Sequence, residues 1–346
     1  MEPLSRSLLM SVGIIKNTLT PKQVAEFERA QECALREREQ AARDCATLDP
    51  KIGFELGWDY ARFLGWHPDD EHNKHFLGGF ETAKRSTWPP ANLDRYTRKW
   101  LQLRYGAWRR SRVFDENVTP CFLREIDRVT CPILGIELTH STGEATDWSV
   151  DRLNNQGGYA VGNLAVMSTH ANGAKGNLAL EDIEARAALE ASSTGLTPLQ
   201  WKRMVSLLTG PYSVIQEREL LYPLCIVPPP YVPLNLFQEL QLVLVREIRQ
   251  PRSAMLAKIA KLCCSRSGSK YFKKLLVHLA AARARATPAM EVWLDVEVFE
   301  CLVAFYKTLD CQSLGKMRFS VERALGSEQV SHDMRQRWAL ENKGFS

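Results

Sequence analysis

The sequence predicts an α+β protein in which a small unit of two strands and one helix lies between two mostly helical regions. Residues 20–112 and 234–345 are dominated by strong helix formers. Residues 113–180 instead carry β-branched residues, glycines and asparagines, and the helical period fades there. Because the chain has 346 residues and a domain usually has about 100–200, we expect two or three domains.

The predicted domain order follows these composition changes. We predict a helical N-terminal region at 1–112, the central unit with its following helices at 113–212, a linker at 213–233 and a basic helical C-terminal domain at 234–346. The linker is predicted from "PLCIVPPPYVP", a proline-rich run typical of stiff, extended chain. The helix before it is expected to begin at Thr197-Pro198 and to end at Gly210.

Composition and cysteine usage favour a cytoplasmic globular protein. Hydrophobic residues make up 45% and charged residues 25%, with a formal charge of +5. The nine cysteines are irregularly spaced and form no C-x-x-C pair, which is typical of reduced thiols. The apolar run "LLMSVGII" lacks the cleavage site of a signal peptide, and no run approaches the roughly 18–20 residues that span a bilayer. We therefore expect no membrane partner.

Four helices are expected in the N-terminal region. Thr20 before Pro21 is an N-cap signal for a long helix that Asp49-Pro50 would stop. Two further helices surround Gly57 and Gly79, which share the pattern Gly-aromatic-x-x-Ala and would allow close packing. "RYTRKWLQLRYGAWRRSR" predicts another helix from Arg95 to Arg112.

This last helix interleaves aromatic and basic residues and contains no acid. Its aromatics could stack on bases while its arginines grip phosphates, and Arg109 and Arg110 are our candidate nucleic-acid contacts. The alternative is an aromatic stripe that faces the core with a solvated basic back, and both can hold at once.

The C-terminal helices are strongly basic. The stretch from Arg246 to Arg285 contains eleven lysines or arginines and a single acidic residue, Glu247. Such spacing is usual for a solvated face, but the excess favours contact with a polyanion. The candidate contact residues are Lys258, Lys261, Lys270, Lys273 and Lys274.

The central stretch "DWSVDRLNNQGGYAVGNLAVMSTHANGAKGNL" carries the candidate chemistry. Alternation predicts a strand that ends near Asp151, followed by an Asn- and Gly-rich loop and a second strand, "NLAVMS". A short helix would begin after Ser168 or Thr169 and end at Gly176. On that helix Asn172 and Lys175 share a face.

These residues resemble the HNH nucleases, also called His-Me finger or ββα-metal nucleases. Asp151 matches the Asp of the Asp-His pair on the first strand, and Gly157-Gly158 fall in the loop. Asn163-Leu164 match the Asn-Leu that opens the second strand, while Asn172 and Lys175 match the helical pair. The resemblance covers about 50 residues, from "CPILGIEL" to "AKGNL". The alternative is that these are ordinary turn-forming residues.

The resemblance implies a site for one divalent metal, Mg²⁺ or Mn²⁺, between Asp151 and Asn172, whose hard oxygen donors suit these ions. It also implies that Asn163 braces the loop through side-chain to backbone hydrogen bonds. Lys175 would lie beside the substrate phosphate as a point charge.

Two departures from the family pattern matter. Many members hold a structural zinc with two C-x-x-C pairs, but here the first pair reads Cys131-Pro-Ile-Leu134 and the second falls on Ser168 and Ala171. We therefore expect no structural zinc.

The second departure is Arg152, which replaces the family's general-base histidine. A guanidinium stays protonated near neutral pH and cannot accept a proton. Three alternatives follow: another group is the base, a metal-bound hydroxide attacks the phosphate without a base, or the site is inactive. His140 is the preferred substitute, ahead of Tyr159, while His170 should point elsewhere. The sequence resembles a recurring Asp-Arg variant of the family, in which Arg152 would hold a phosphate oxygen.

The sequence therefore predicts a metal-dependent endonuclease that cleaves or nicks phosphodiester bonds, with double-stranded DNA as the expected substrate. Two alternatives stay open: a nucleic-acid-binding protein that keeps the module without catalysis, and an RNA-cleaving enzyme or toxin. The oligomeric state is also open, and a homo-oligomer is compatible with the sequence.

Overall fold

The computed structural model describes residues 48–69, 71–86, 93–189, 195–214, 220–262, 265–286, 288–326 and 337–338. The chain divides into two compact units, residues 1–91 and 92–346. The long helix predicted to begin at Pro21 lies outside the described residues. The pair Asp49-Pro50 begins a helix, because the Asp49 side chain accepts hydrogen bonds from the backbone N–H groups of Lys51 and Ile52.

The described part of the first unit is a pair of closely packed helices, α1 (Pro50–Phe63) and α2 (Lys74–Lys84). A Cβ atom at Gly57 would lie 1.9 Å from the carbonyl oxygen of Phe76, and one at Gly79 would lie 2.0 Å from that of Phe54. The prediction that these two glycines allow the helices to approach closely is confirmed. The shared Gly-aromatic spacing is therefore a packing device.

The second unit begins with helices and continues into the only sheet of the described residues. Two helices come first, α3 (Arg95–Arg109) and α4 (Pro120–Glu125). A hairpin of two antiparallel strands follows, β1 (Trp148–Arg152) and β2 (Leu164–Ser168), in which Asp151 pairs with Ala165. Helix α5 (Thr169–Lys175) starts directly after β2, with Ser168 as its N-cap. The helix-rich chain with one small antiparallel sheet agrees with the predicted α+β class.

The rest of the second unit is helical. Its helices are α6 (Leu180–Ala187), α7 (Pro198–Ser213), α8 (Leu236–Glu247), α9 (Ala254–Lys261), α10 (Arg266–Arg285), a short 3-10 helix at Ala289–Leu294, α11 (Val296–Tyr306) and α12 (Cys311–Leu325). One hydrophobic core extends from Ala107 on α3 through the hairpin to Val321 on α12.

This continuous core corrects the predicted domain division. Residues 220–233 do not form a free linker: Leu224 and Cys225 are buried, and their backbone N–H groups donate to Gln241 Oε1 at 2.7 Å and to Ser206 Oγ at 3.1 Å. The segment therefore binds α7 and α8 together. A proline-rich segment can thus be extended because it packs against other elements, and its composition alone does not show that it is a free linker.

The predicted helix end at Gly210 is also wrong. Helix α7 continues through Gly210 to Ser213. A Cβ atom at Gly210 would lie 1.7 Å from the carbonyl oxygen of Pro233. This glycine is therefore needed for close approach of the extended segment and does not act as a C-cap.

Among the described residues, none of the helices combines the length and the apolar character that crossing a membrane requires.

Candidate functional site

The hairpin and helix α5 form one unit through two polar contacts between β1 and α5. The Asn172 amide nitrogen donates to Ser149 Oγ at 2.8 Å. The Lys175 ammonium nitrogen lies 2.9 Å from Asp151 Oδ2. Ser149 and Asp151 are two residues apart on β1 and so point to the same face of the strand. The structure therefore brings Asp151 and Asn172 to the same side of the hairpin.

Lys175 does not take the place expected for it beside a phosphate. Its side chain has no exposed surface. In addition to the Asp151 contact, the ammonium donates to the Arg152 carbonyl oxygen at 2.8 Å and to Asn155 Oδ1 at 3.0 Å. Two of these oxygens accept hydrogen bonds from the ammonium, and the third, Asp151 Oδ2, is its ion-pair partner. In this structure Lys175 positions Asp151 and the loop, and it does not reach solvent.

The Asp151 carboxylate is held in a poorly solvated place. Its side chain is 12% exposed, and burial raises its pKa against the opposing attraction of Lys175. Oδ2 accepts no hydrogen bond of good geometry, although the Lys175 ammonium lies within ion-pair distance. A buried carboxylate oxygen without a hydrogen bond is costly unless a cation stabilises it.

Asn163 holds the loop between the strands. Its Oδ1 accepts from the Asn154 backbone N–H at 2.8 Å, and its Nδ2 donates to the carbonyl oxygens of Asn154 at 3.0 Å and Gly158 at 2.9 Å. These are the side-chain to backbone hydrogen bonds expected of Asn163. Gly157 is required beside it, because a Cβ atom there would lie 2.8 Å from Asn163 Nδ2. At Gly158 a Cβ atom would meet the Val113 carbonyl oxygen at 2.7 Å.

Arg152 also contacts the loop. Its Nη1 donates to the carbonyl oxygens of Asn155 at 3.2 Å and Gly157 at 2.9 Å, and its guanidinium lies 5.0 Å from the centre of the Tyr159 ring. One edge of the fork is thus anchored. The remaining N–H groups have no hydrogen-bond partner among the described residues.

His140, the preferred substitute for the general base, lies in the segment before β1. Its ring packs against Trp148, with 5.6 Å between ring centres. Trp148 precedes Asp151 by three positions on β1, which is roughly 10 Å along a strand and on the opposite face. His170 points away as expected, and its Nε2 lies 3.1 Å from the Gly195 carbonyl oxygen. The role expected of His140 as a base stays a prediction.

The positions of the family's zinc cysteines meet in space. The Cys131 thiol donates to Ser168 Oγ at 3.6 Å and accepts from the backbone N–H groups of Leu134 and Ser168, both at 3.4 Å. The sulfur is buried, so hydrogen bonds and apolar packing connect the two chain segments here. Among the described residues, no group of three or more His, Cys, Asp and Glu side chains is arranged to hold a metal ion.

The aromatic residues of α3 serve the core more than its surface. Trp108 is buried, and the Trp100 indole donates to the Val118 carbonyl oxygen at 2.8 Å. The core-facing alternative therefore describes these two residues. Arg110 is exposed and donates to the Tyr159 hydroxyl, whereas Arg109 is half-buried.

The basic residues of α9 and α10 lie on the surface. Lys270, Lys273 and Lys274 are exposed and share one face of α10, because positions three and four apart are neighbours on a helix. Phe272 and Leu275 are buried on the opposite face. On α9, Lys258 and Lys261 are likewise exposed.

Sequence reasoning missed two positioning residues of the site. Ser149 accepts the hydrogen bond of Asn172, and Asn155 accepts that of Lys175. Strand alternation could have identified Ser149, since it shares a face with Asp151. No local signal could have identified Asn155, because its partner is 20 residues away.

Comparison of the chain with protein-family models, curated proteins and solved structures finds no match.

Proposed function

We propose that this protein is a metal-dependent endonuclease of the HNH type that cleaves or nicks phosphodiester bonds in double-stranded DNA. The observation that carries the proposal is the placement of Asp151 and Asn172 on one side of the β1–β2–α5 unit. Helix α5 is fixed there by its contacts to Ser149 and Asp151.

Further support comes from the loop and from the cysteine positions. Asn163 braces the loop as the family resemblance implies. Cys131 and Ser168, which belong to the two different zinc pairs of the resemblance, are in contact across 37 residues of chain. That contact is hard to explain if the resemblance were only a chance match of turn-forming residues.

The donor chemistry fits one hard divalent cation. Asp151 pairs through Oδ2 with the Lys175 ammonium, which leaves its Oδ1 for a cation, and Asn172 uses its amide nitrogen on Ser149, which leaves its carbonyl oxygen for another partner. Carboxylate and amide oxygens are ligands that Mg²⁺ and Mn²⁺ prefer. Such an ion, when bound, polarises the phosphate and stabilises the leaving oxygen.

The chain's own residues would position the substrate. Lys175 favours the ionised form of the Asp151 carboxylate and orients it, because it places a positive charge 2.9 Å from Oδ2. Arg152 keeps its remaining N–H groups for a phosphate oxygen, and a guanidinium there offsets negative charge that develops during cleavage. The exposed lysines of α9 and α10 supply sequence-independent attraction to the DNA backbone.

A second candidate is a DNA-binding protein without catalytic activity. It is favoured by the contacts of His140 and His170, because the described partners of these two rings are Trp148 and Gly195 and do not include Asp151. The third candidate, an RNA-cleaving enzyme or toxin, uses the same site on another substrate.

Incubation of the purified protein with supercoiled plasmid and Mg²⁺ or Mn²⁺ tests the proposal. We expect nicked plasmid with the wild type and none with Asp151→Asn, which keeps the side-chain shape but loses the charge. Glu144→Gln is the matched control, since Glu144 is an exposed acid in the loop before β1.

A mobility shift of the plasmid without strand breaks, in the presence of either metal ion, would support the binding protein and reject the nuclease. Breaks in RNA but not in plasmid would support the third candidate. Unchanged nicking by Asp151→Asn would remove this site from consideration.

A further inference from the structure

Tyr159 lies at the meeting point of two arginines from distant parts of the chain. Arg110 follows the last turn of α3, and Arg152 ends β1. The Arg110 guanidinium donates to the Tyr159 hydroxyl at 2.5 Å and lies 6.0 Å from the ring centre. The Arg152 guanidinium lies 5.0 Å from the same ring centre. Two positive charges are thus gathered around one ring.

This arrangement is costly without an anion. Like charges repel, and neither Arg110 nor Arg152 forms an ion pair with a carboxylate in the described part of the chain. Asp115, whose backbone N–H donates to the Tyr159 carbonyl oxygen, directs its Oδ1 to Asn117 instead. A third arginine adds to the repulsion: burial, Arg152 and Arg110 lower the pKa of Arg112, with Tyr159 opposing them.

The three side chains offer donors that match a phosphate. Both guanidiniums have N–H groups left after their contacts to the protein. The Tyr159 hydroxyl accepts from Arg110, so its own proton is free to be donated, and no described residue accepts it. Tyr159 is 6% exposed and its ring is stacked on Phe114, which keeps the hydroxyl in place. Arg152 is anchored by two loop carbonyl oxygens.

We propose that Arg110, Tyr159 and Arg152 form a phosphate clamp, which holds one backbone phosphate of the nucleic acid beside the loop that follows β1. The clamp rests on the proposed function for its ligand, a phosphodiester of DNA, but it needs no cleavage. Forked guanidiniums bind phosphate oxygens in pairs, and the anion removes the repulsion between them. The clamp thereby explains why this chain keeps an arginine directly after Asp151.

Fluorescence anisotropy with a short labelled DNA duplex, in EDTA and over a series of salt concentrations, tests the clamp. Loss of a charge-assisted hydrogen bond is worth about 1.5–3 kcal/mol, so we expect Arg110→Ala to weaken binding about tenfold or more. It should also reduce the slope of log affinity against log salt by about 0.9. Arg98→Ala is the matched control, because Arg98 is an exposed arginine of the same helix.

Additional variants separate the clamp from a role in folding. Arg110→Lys keeps the charge without the fork and should retain the salt slope while it loses affinity. Tyr159→Phe keeps the ring and should lose affinity without a change in slope. If Arg110 and Arg152 bind the same phosphate, the double alanine variant loses less than the sum of the single losses.

The clamp is overturned if Arg110→Ala and Arg110→Lys bind as the Arg98→Ala control does. Its failure is distinguishable from that of the nuclease proposal. Normal binding by the Arg110 variants with nicking that depends on Asp151 rejects the clamp alone. If Arg110→Ala lowers the salt slope but the wild-type protein makes no breaks in plasmid, the nuclease proposal alone is rejected.

Discussion

Lys175 Nζ lies 2.9 Å from Asp151 Oδ2, and the lysine side chain is fully buried. The pair joins α5 to β1 and places a charged group under the candidate active site. Lys175 also satisfies the Arg152 carbonyl oxygen and Asn155 Oδ1. The ion pair is therefore both the support of the Asp151 carboxylate and a part of the packing of the hairpin.

We expect Lys175→Met to destabilise the protein by about 3–5 kcal/mol, because removal of one partner leaves the other charge buried and unpaired. Urea unfolding followed by circular dichroism measures the change. Lys202→Met is the control, since Lys202 is an exposed lysine on α7 and its loss should change stability by less than about 0.5 kcal/mol. A similar small change for both variants would mean that the Lys175–Asp151 pair does not support the fold.

The helix pair of the first unit allows a test with three glycines. Gly57→Ala and Gly79→Ala should each destabilise this unit by at least about 1–3 kcal/mol, because the new methyl group would overlap a backbone carbonyl oxygen of the facing helix. Gly78→Ala should instead stabilise α2 by up to about 1 kcal/mol, since nothing lies within 4 Å of its Cβ position and alanine favours helix. Thermal unfolding of the full chain measures all three, and a loss of stability in Gly78→Ala equal to that in Gly79→Ala would contradict the close packing.

The turn before β1 should make stability depend on pH. Burial tends to raise the pKa of Asp147, but hydrogen bonds from Thr142, Thr139 and Gly143 lower it to about 2. A carboxylate with a lowered folded-state pKa stabilises the protein above its unfolded-state pKa and loses that contribution as the pH falls through the folded-state value. The melting temperature of the wild type should therefore exceed that of Asp147→Asn at pH 7. The two should converge between pH values of about 4 and 2.

Glu144→Gln serves as the reference for this pH series, because Glu144 is an exposed acid of the same turn. The Asp147→Asn difference from the wild type should change with pH more than the Glu144→Gln difference does. If both differences changed with pH alike, the Asp147 carboxylate would not be held by the turn.

Sequence patterns predicted the parts of the fold that local chemistry determines. Alternation and Asn/Gly content located the hairpin, and Ser168 was one of the two residues predicted as the N-cap of α5. Helix periodicity and the shared glycines located α1 and α2 and their close contact. In each case the signal lies within a few residues of the feature it predicts.

Features that depend on distant partners were not predicted. A lysine on a helix face normally reaches solvent, and only the three oxygens contributed by β1 and its loop explain why Lys175 is buried. His140 was favoured by proximity in the chain, which could not reveal that its ring packs against Trp148. Gly210 resembles a helix stop until the Pro233 carbonyl oxygen that it accommodates is known.

The segment at 220–233 has a consequence for how DNA would be handled. Since this segment is bonded to α7 and α8 and shares their core, it is not a flexible linker between the hairpin and the helices α9 and α10 that carry the exposed lysines. A DNA duplex bound by the lysines of α9 and α10 would therefore lie at a fixed distance from the β1–β2 hairpin. A deletion or insertion in residues 220–233 would then disrupt the shared hydrophobic core before it changed the distance between the lysines and the hairpin.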